Sequence, residues 1–246
     1  MIRTFDFYGS RVTFSTIISR IKTEIETVLD ETVDSTMIGE SQVITPSKSK
    51  FKLVIDYSTP GKNVEYYQLR LEKMTISVDF SIRNKPICDI VEKHSNIFTP
   101  EEEEWLLKYT PWLQDFVNKD LFDKKVLSDC LIIFREHSLI SVYNIYQIFR
   151  SLGLKPENTV YYSKGDRCRN ISRIEESFRD KGYGVFVLNP FESVSETGKS
   201  EDEKINPQAS DRVYKELKPY FEKAKGEGLR VIIFDDGGLM VTTVID

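Results

Sequence analysis

The chain has 246 residues, and its 34 Lys and Arg against 39 Asp and Glu give a formal charge of −5. That balance speaks against a general nucleic-acid binder, which shows a basic excess or stripe. The sequence has no apolar run near the roughly 20 residues of a membrane helix and no apolar stretch of a secretory signal at its start, and three widely spaced cysteines, Cys88, Cys130 and Cys168, fit neither a disulfide framework nor a zinc site.

A cytoplasmic protein with no membrane partner and no metal is therefore expected. With 40% apolar composition, 15 Phe and 12 Tyr, the chain can build a core, and its length suits one large or two small domains at roughly 150 residues per domain.

Residues 12–29 place Ile17, Ile18, Ile21, Ile25 and Val28 at helical spacing. Residues 51–57 are strand-like and run into the turn-forming Ser58-Thr59-Pro60-Gly61. Residues 66–70 and 74–80 follow as strands, with Ile76, Val78 and Phe80 alternating with polar neighbours. Residues 1–95 are read as a small α+β domain, a helix on a meander, that is a candidate surface for a protein partner. Residues 85–100 are read as a connection. Thr99-Pro100-Glu101-Glu102 has the form of a helix start, with the glutamates as an acidic first turn in solvent.

Residues 96–246 alternate strand and helix. Strands are expected at 130–134, 159–162, 184–188 and 229–234, and helices at 138–152, 170–181 and 211–225. Gly153 and Gly182 close the first two helices. Short Val/Ile/Phe-rich strands separated by helices imply a parallel sheet. The expected class is α/β, a Rossmann-like three-layer sandwich with helices on both faces. Residues 191–209, rich in Ser, Glu, Lys, Asp and Asn, are read as a mobile surface insertion.

In such sheets, ligands bind beyond the carboxyl ends of the strands. The residues there are Arg135 to Ser138, Ser163 to Arg167, Asn189 and Pro190, and Asp235 to Gly238, so polar and ionisable groups gather at one rim. His137, one of two histidines, suits a general acid/base or a ligand donor; it equally suits a plain helix start. Asp235 and Asp236, ahead of two glycines, suit acceptance of ribose hydroxyls or a simple turn. Ser163 and Lys164 suit the wall of the same cleft, with Lys164 toward an anionic group. No phosphate-binding or dinucleotide-binding glycine motif is present.

The order of these pieces resembles the substrate domain of S-adenosylhomocysteine hydrolases, over residues 104–246. Tyr109-Thr110-Pro111-Trp112-Leu113 is similar to that family's early MPxL segment. His137-Ser138-Leu139 running to Leu152-Gly153-Leu154 is similar to its HMTxxTxxLxxTLxxLGA segment. Ile233-Phe234-Asp235-Asp236-Gly237-Gly238 is similar to its IxDDGG strand end. The resemblance implies an adenosine site that includes His137 and Asp236. It also implies redox chemistry at the ribose with bound NAD. Leu139, Ser141 and Leu239 depart from the family's pattern, no counterpart of its STQD segment is visible, and the sequence ends at Asp246, ahead of the family's catalytic acid, lysine and NAD domain.

The expectation is thus a nucleoside- or nucleotide-type ligand-binding module without self-contained catalysis. No cofactor is expected in this chain, and NAD only if a separate dinucleotide domain completes it. The alternatives are a subunit of an NAD-dependent hydrolase of that kind and a protein-interaction scaffold.

Overall fold

A computed structural model describes residues 2–58, 71–79, 81–108, 110–118, 123–165, 170–189, 192–195 and 203–236. The expected strand at 66–70, and Phe80, Asp166, Arg167, Pro190, Gly237, Gly238 and Leu239, lie outside these. Two compact units divide the chain, Met1–Tyr109 and Thr110–Asp246.

The first unit contains β1 (Ile2–Gly9), α1 (Arg11–Leu29), β2 (Val33–Ile38), β3 (Ser41–Pro46), β4 (Leu53–Ser58), β5 (Glu72–Asp79), α2 (Lys85–Ser95) and α3 (Pro100–Leu107). Its strands form an antiparallel sheet in the order β1-β5-β4-β3-β2. Alternation decides which face is buried. Phe5, Phe7, Leu53, Ile55, Met74, Ile76 and Val78 point to one side and are covered by Phe14, Ile18, Ile21 and Ile25 of α1 and by Ile87, Cys88, Ile90 and Val91 of α2.

Two expectations are corrected here. Residues 85–95 are a helix rather than a connection. Pro86 sits in its first turn, where a missing N–H costs no helical bond, and its apolar residues form one buried face. The unit boundary accordingly falls between 109 and 110, later than residue 95. The glutamates that open α3 are not simply solvated either. Glu102 is fully buried and closes a capping box with Thr99, while Glu101 accepts from the Ser10 amide and from the Thr13 hydroxyl at the start of α1.

The second unit contains α4 (Pro111–Asn118), β6 (Cys130–Glu136), α5 (Ile140–Ser151), β7 (Thr159–Ser163), α6 (Ile171–Asp180), β8 (Gly184–Val187), β9 (Ser193–Ser195), β10 (Glu203–Ile205), α7 (Pro207–Glu227) and β11 (Arg230–Asp235). It is an α/β unit with a four-stranded parallel sheet in the order β11-β6-β7-β8. Leu131, Ile133, Val160 and Tyr162 pack against Val213, Leu217 and Ala224 of α7. On the opposite face, Phe134 and Tyr161 meet Tyr146 of α5, and Tyr161 also meets Phe178 of α6. Helices thus cover both faces, which is why β6 and β7 are apolar almost without a break.

The expected mobile insertion carries structure in its described parts. β9 and β10 pair antiparallel, and α7 begins at Pro207, with the Asn206 side chain accepting from the Ala209 amide.

Candidate functional site

The strand order locates the site. The chain steps from β6 to β7 to β8 in one direction, then returns past β6 to β11. With crossovers of one hand, that reversal sends α7 to the face opposite α5 and α6. The chain leaves β6 for α5 on one face and enters β11 from α7 on the other, so the crevice at the carboxyl ends of β6 and β11 corresponds to the switch point at which open α/β sheets hold ligands. Arg135, Glu136 and His137 come from β6 and the turn after it, Asp235 and Asp236 from β11 and the turn after it, and Ser163 and Lys164 from the end of β7.

The buried base of this crevice is a set of tethers. Arg135 and Asp235 are opposite one another in the parallel register, and both side chains are at least 95% buried. Arg135 Nη1 lies 3.3 Å from Asp235 Oδ1 and donates to the Asp236 carbonyl at 2.9 Å. The Asp236 amide returns a bond to the Arg135 carbonyl at 3.1 Å. These bonds hold the two strand ends together. Behind them, the Tyr161 hydroxyl donates to the Glu136 carbonyl at 3.2 Å, and the Lys164 amide approaches the same oxygen at 3.4 Å. Ser138 Oγ lies 2.8 Å from the Tyr161 hydroxyl and 3.2 Å from Ser163 Oγ, which in turn accepts from the Gly165 amide.

Above this base stand the groups that face outward. Asp236 and His137 are roughly half exposed, and His137 Nε2 lies 3.7 Å from Asp236 Oδ2. The Lys164 ammonium, on a side chain that is only 9% exposed, donates to the same carboxylate oxygen. That bond holds the Asp236 carboxyl below its ordinary range, with the nearby charges of Lys164, His137 and Arg135 acting in the same direction. Glu136 turns one carboxylate oxygen onto the His137 amide at 2.8 Å. One donor atom each from Glu136, His137 and Asp236 lie within 4.8 Å of one another.

The structure thus brings His137, Asp236 and Lys164 to one point. It places Asp235 and Ser163 beneath them, as buried residues that orient the others. In the sequence, Glu136 and Arg135 are legible only as members of the rim. Their signal was position: they flank the strand end that also supplies His137. A carboxylate in direct sequence with a histidine cannot be assigned to one face of a turn until the turn is built.

Neither the models of known protein families nor the characterised proteins include a match to this chain.

Proposed function

We propose that the second unit is a Rossmann-like three-layer domain, akin to the substrate domain of S-adenosylhomocysteine hydrolases, that binds a nucleoside- or nucleotide-type ligand in the crevice between β6 and β11. The observation that carries the reading is the coincidence of the switch point with a half-exposed carboxylate and imidazole, a largely buried ammonium beside them, and a buried base. Asp236 keeps acceptor capacity beside Lys164, since a carboxylate offers about four lone-pair positions, and vicinal ribose hydroxyls are suited to it. His137 donates to or accepts from the sugar. Lys164 supplies charge for an anionic substituent. The start of α5, which has no side-chain cap, adds backbone N–H donors on the same rim. Cytoplasmic residence belongs to the same proposal, supported by the free, buried thiols of Cys88 and Cys130.

Calorimetry with adenosine and with adenosine 5′-monophosphate tests this. Binding is expected, with Asp236→Asn and His137→Ala each weakening it by about 1–3 kcal/mol, the cost of leaving a polar group unpaired. The monophosphate should lose its advantage over adenosine in Lys164→Met. Absence of binding by both ligands, or binding that ignores Asp236→Asn and His137→Ala, would refute the assignment.

A further inference from the structure

We infer that Glu136, His137 and Asp236 form a site for one divalent first-row transition ion, zinc in preference to manganese, that is open to solvent on its outer side. The donor set is one imidazole and two carboxylates, a mixed nitrogen and oxygen set that suits such ions better than calcium or magnesium. The distances fit with little movement. Ligands at 2.0–2.2 Å from a tetrahedral zinc lie about 3.4 Å from each other. His137 Nε2 and Asp236 Oδ2 are already 3.7 Å apart, and all three donor atoms fall within 4.8 Å.

The protein also builds what a site needs around its ligands. Glu136 is adjacent to His137 in sequence and is held by its amide, so two ligands come from one short turn. The third comes from the neighbouring strand end, clamped there by Arg135. Hydrogen bonds of this kind to ligating residues fix their orientation. Exposure of His137 and Asp236 leaves the remaining coordination positions to water or to a ligand oxygen, the arrangement of a site that does chemistry rather than one that only supports structure.

Lys164 gives the site a specific signature. Its ammonium rests on the same Asp236 oxygen that faces His137. A cation of the protein's own therefore already sits against the oxygen an incoming ion would bind, and the two repel. The two compete, so removal of the ammonium must strengthen ion binding while removal of any ligand weakens it. A surface that merely attracts cations would also gain from loss of the ammonium, but it would be indifferent to His137→Ala, which removes a nitrogen donor and no negative charge.

The inference does not rest on the nucleoside reading, because the probe is the ion alone. Isothermal titration of the full chain with zinc chloride, in a Cys168→Ser background that removes one competing thiol, is expected to give one ion per chain. Manganese should bind more weakly, and magnesium should give no saturable heat. His137→Ala and Asp236→Asn should each weaken zinc binding at least about tenfold, no less than loss of an outer-shell partner costs. Lys164→Met should tighten it; Lys164→Gln serves the same purpose if the methionine variant does not fold. Zinc binding that is absent, or indifferent to His137→Ala and Asp236→Asn, or weakened by both lysine variants, overturns the site. Adenosine binding without zinc binding would refute the ion site and leave the nucleoside reading standing; zinc binding without adenosine binding would do the reverse.

Discussion

At the scale of the residue, the second unit separates polar groups that are engaged from those that are not. Arg135 and Asp235 are buried as a pair with hydrogen bonds, the condition under which buried charge is tolerated. Tyr146 is the contrast. Its ring packs against Phe134, Tyr161 and Phe178, but its hydroxyl is buried with no hydrogen-bond partner among the described residues. Burial pushes its ionisation well above the ordinary tyrosine range, with Tyr161 and Tyr183 adding to the effect. An unpaired buried hydroxyl costs stability in the folded state. Tyr146→Phe is therefore expected to raise stability by about 1 kcal/mol, read as a higher urea midpoint at unchanged slope. A lower midpoint would mean that the hydroxyl has a partner.

At the scale of the element, the rim depends on backbone conformations that only some residues adopt. Gly165, two residues past the end of β7, has φ of +65°, and a Cβ there would run into the side-chain amide of Asn189 beyond β8. Gly165→Ala is expected to cost about 1–3 kcal/mol and, if the crevice is a binding site, to weaken its ligand through the displaced Lys164. A chemical denaturation series checks the first part, and an unchanged midpoint would refute it. The same scale shows what the sequence made readable. The four parallel strands and the helices α5 and α6 were recognised because two-sided burial demands unbroken Val, Ile, Leu, Phe and Tyr runs, and because Gly153 and Gly182 end the helices at positive φ. The strands β1, β2 and β3 were not. β2 is an edge strand whose Met37 and Ile38 are exposed, so no period of two separates its faces. α2 is hard to read in the sequence because its buried face includes Cys88 and His94, which do not count toward an apolar stripe. At the site, His137, Asp236 and Lys164 were readable because parallel strands deliver their ends to one rim. The burial of Asp235 was not, since it depends on Arg135 arriving opposite it in register.

At the scale of the whole molecule, the two units bury ionisable groups in different ways, and this makes their response to acid distinguishable. In the first unit, His94 of α2 is 95% buried and lies 3.1 Å from Glu24 of α1. Burial pushes the His94 imidazole below its ordinary value of 6.5, and Glu24 only partly offsets this. As pH falls through 6.5 the unfolded chain takes up this proton before the folded one does. Stability must then decline with acid, because the unfolded state binds more protons. Glu24 adds a separate loss in a lower window. Burial works to raise its carboxyl, but Lys93 and His94 outweigh this and hold it below 4.5, so its contribution is intact above that pH. The two tryptophans permit the measurement. Trp105 is buried in the first unit and Trp112 is exposed in the second. In a Trp112→Phe protein, Trp105 emission follows the first unit alone. Its unfolding midpoint is expected to fall between about pH 7.5 and about pH 5.5, the range in which a histidine titrates. His94→Gln should flatten that slope, whatever it does to the midpoint at pH 7.5. A midpoint independent of pH across this range, or a slope that survives His94→Gln, would show that the imidazole is not held neutral by burial.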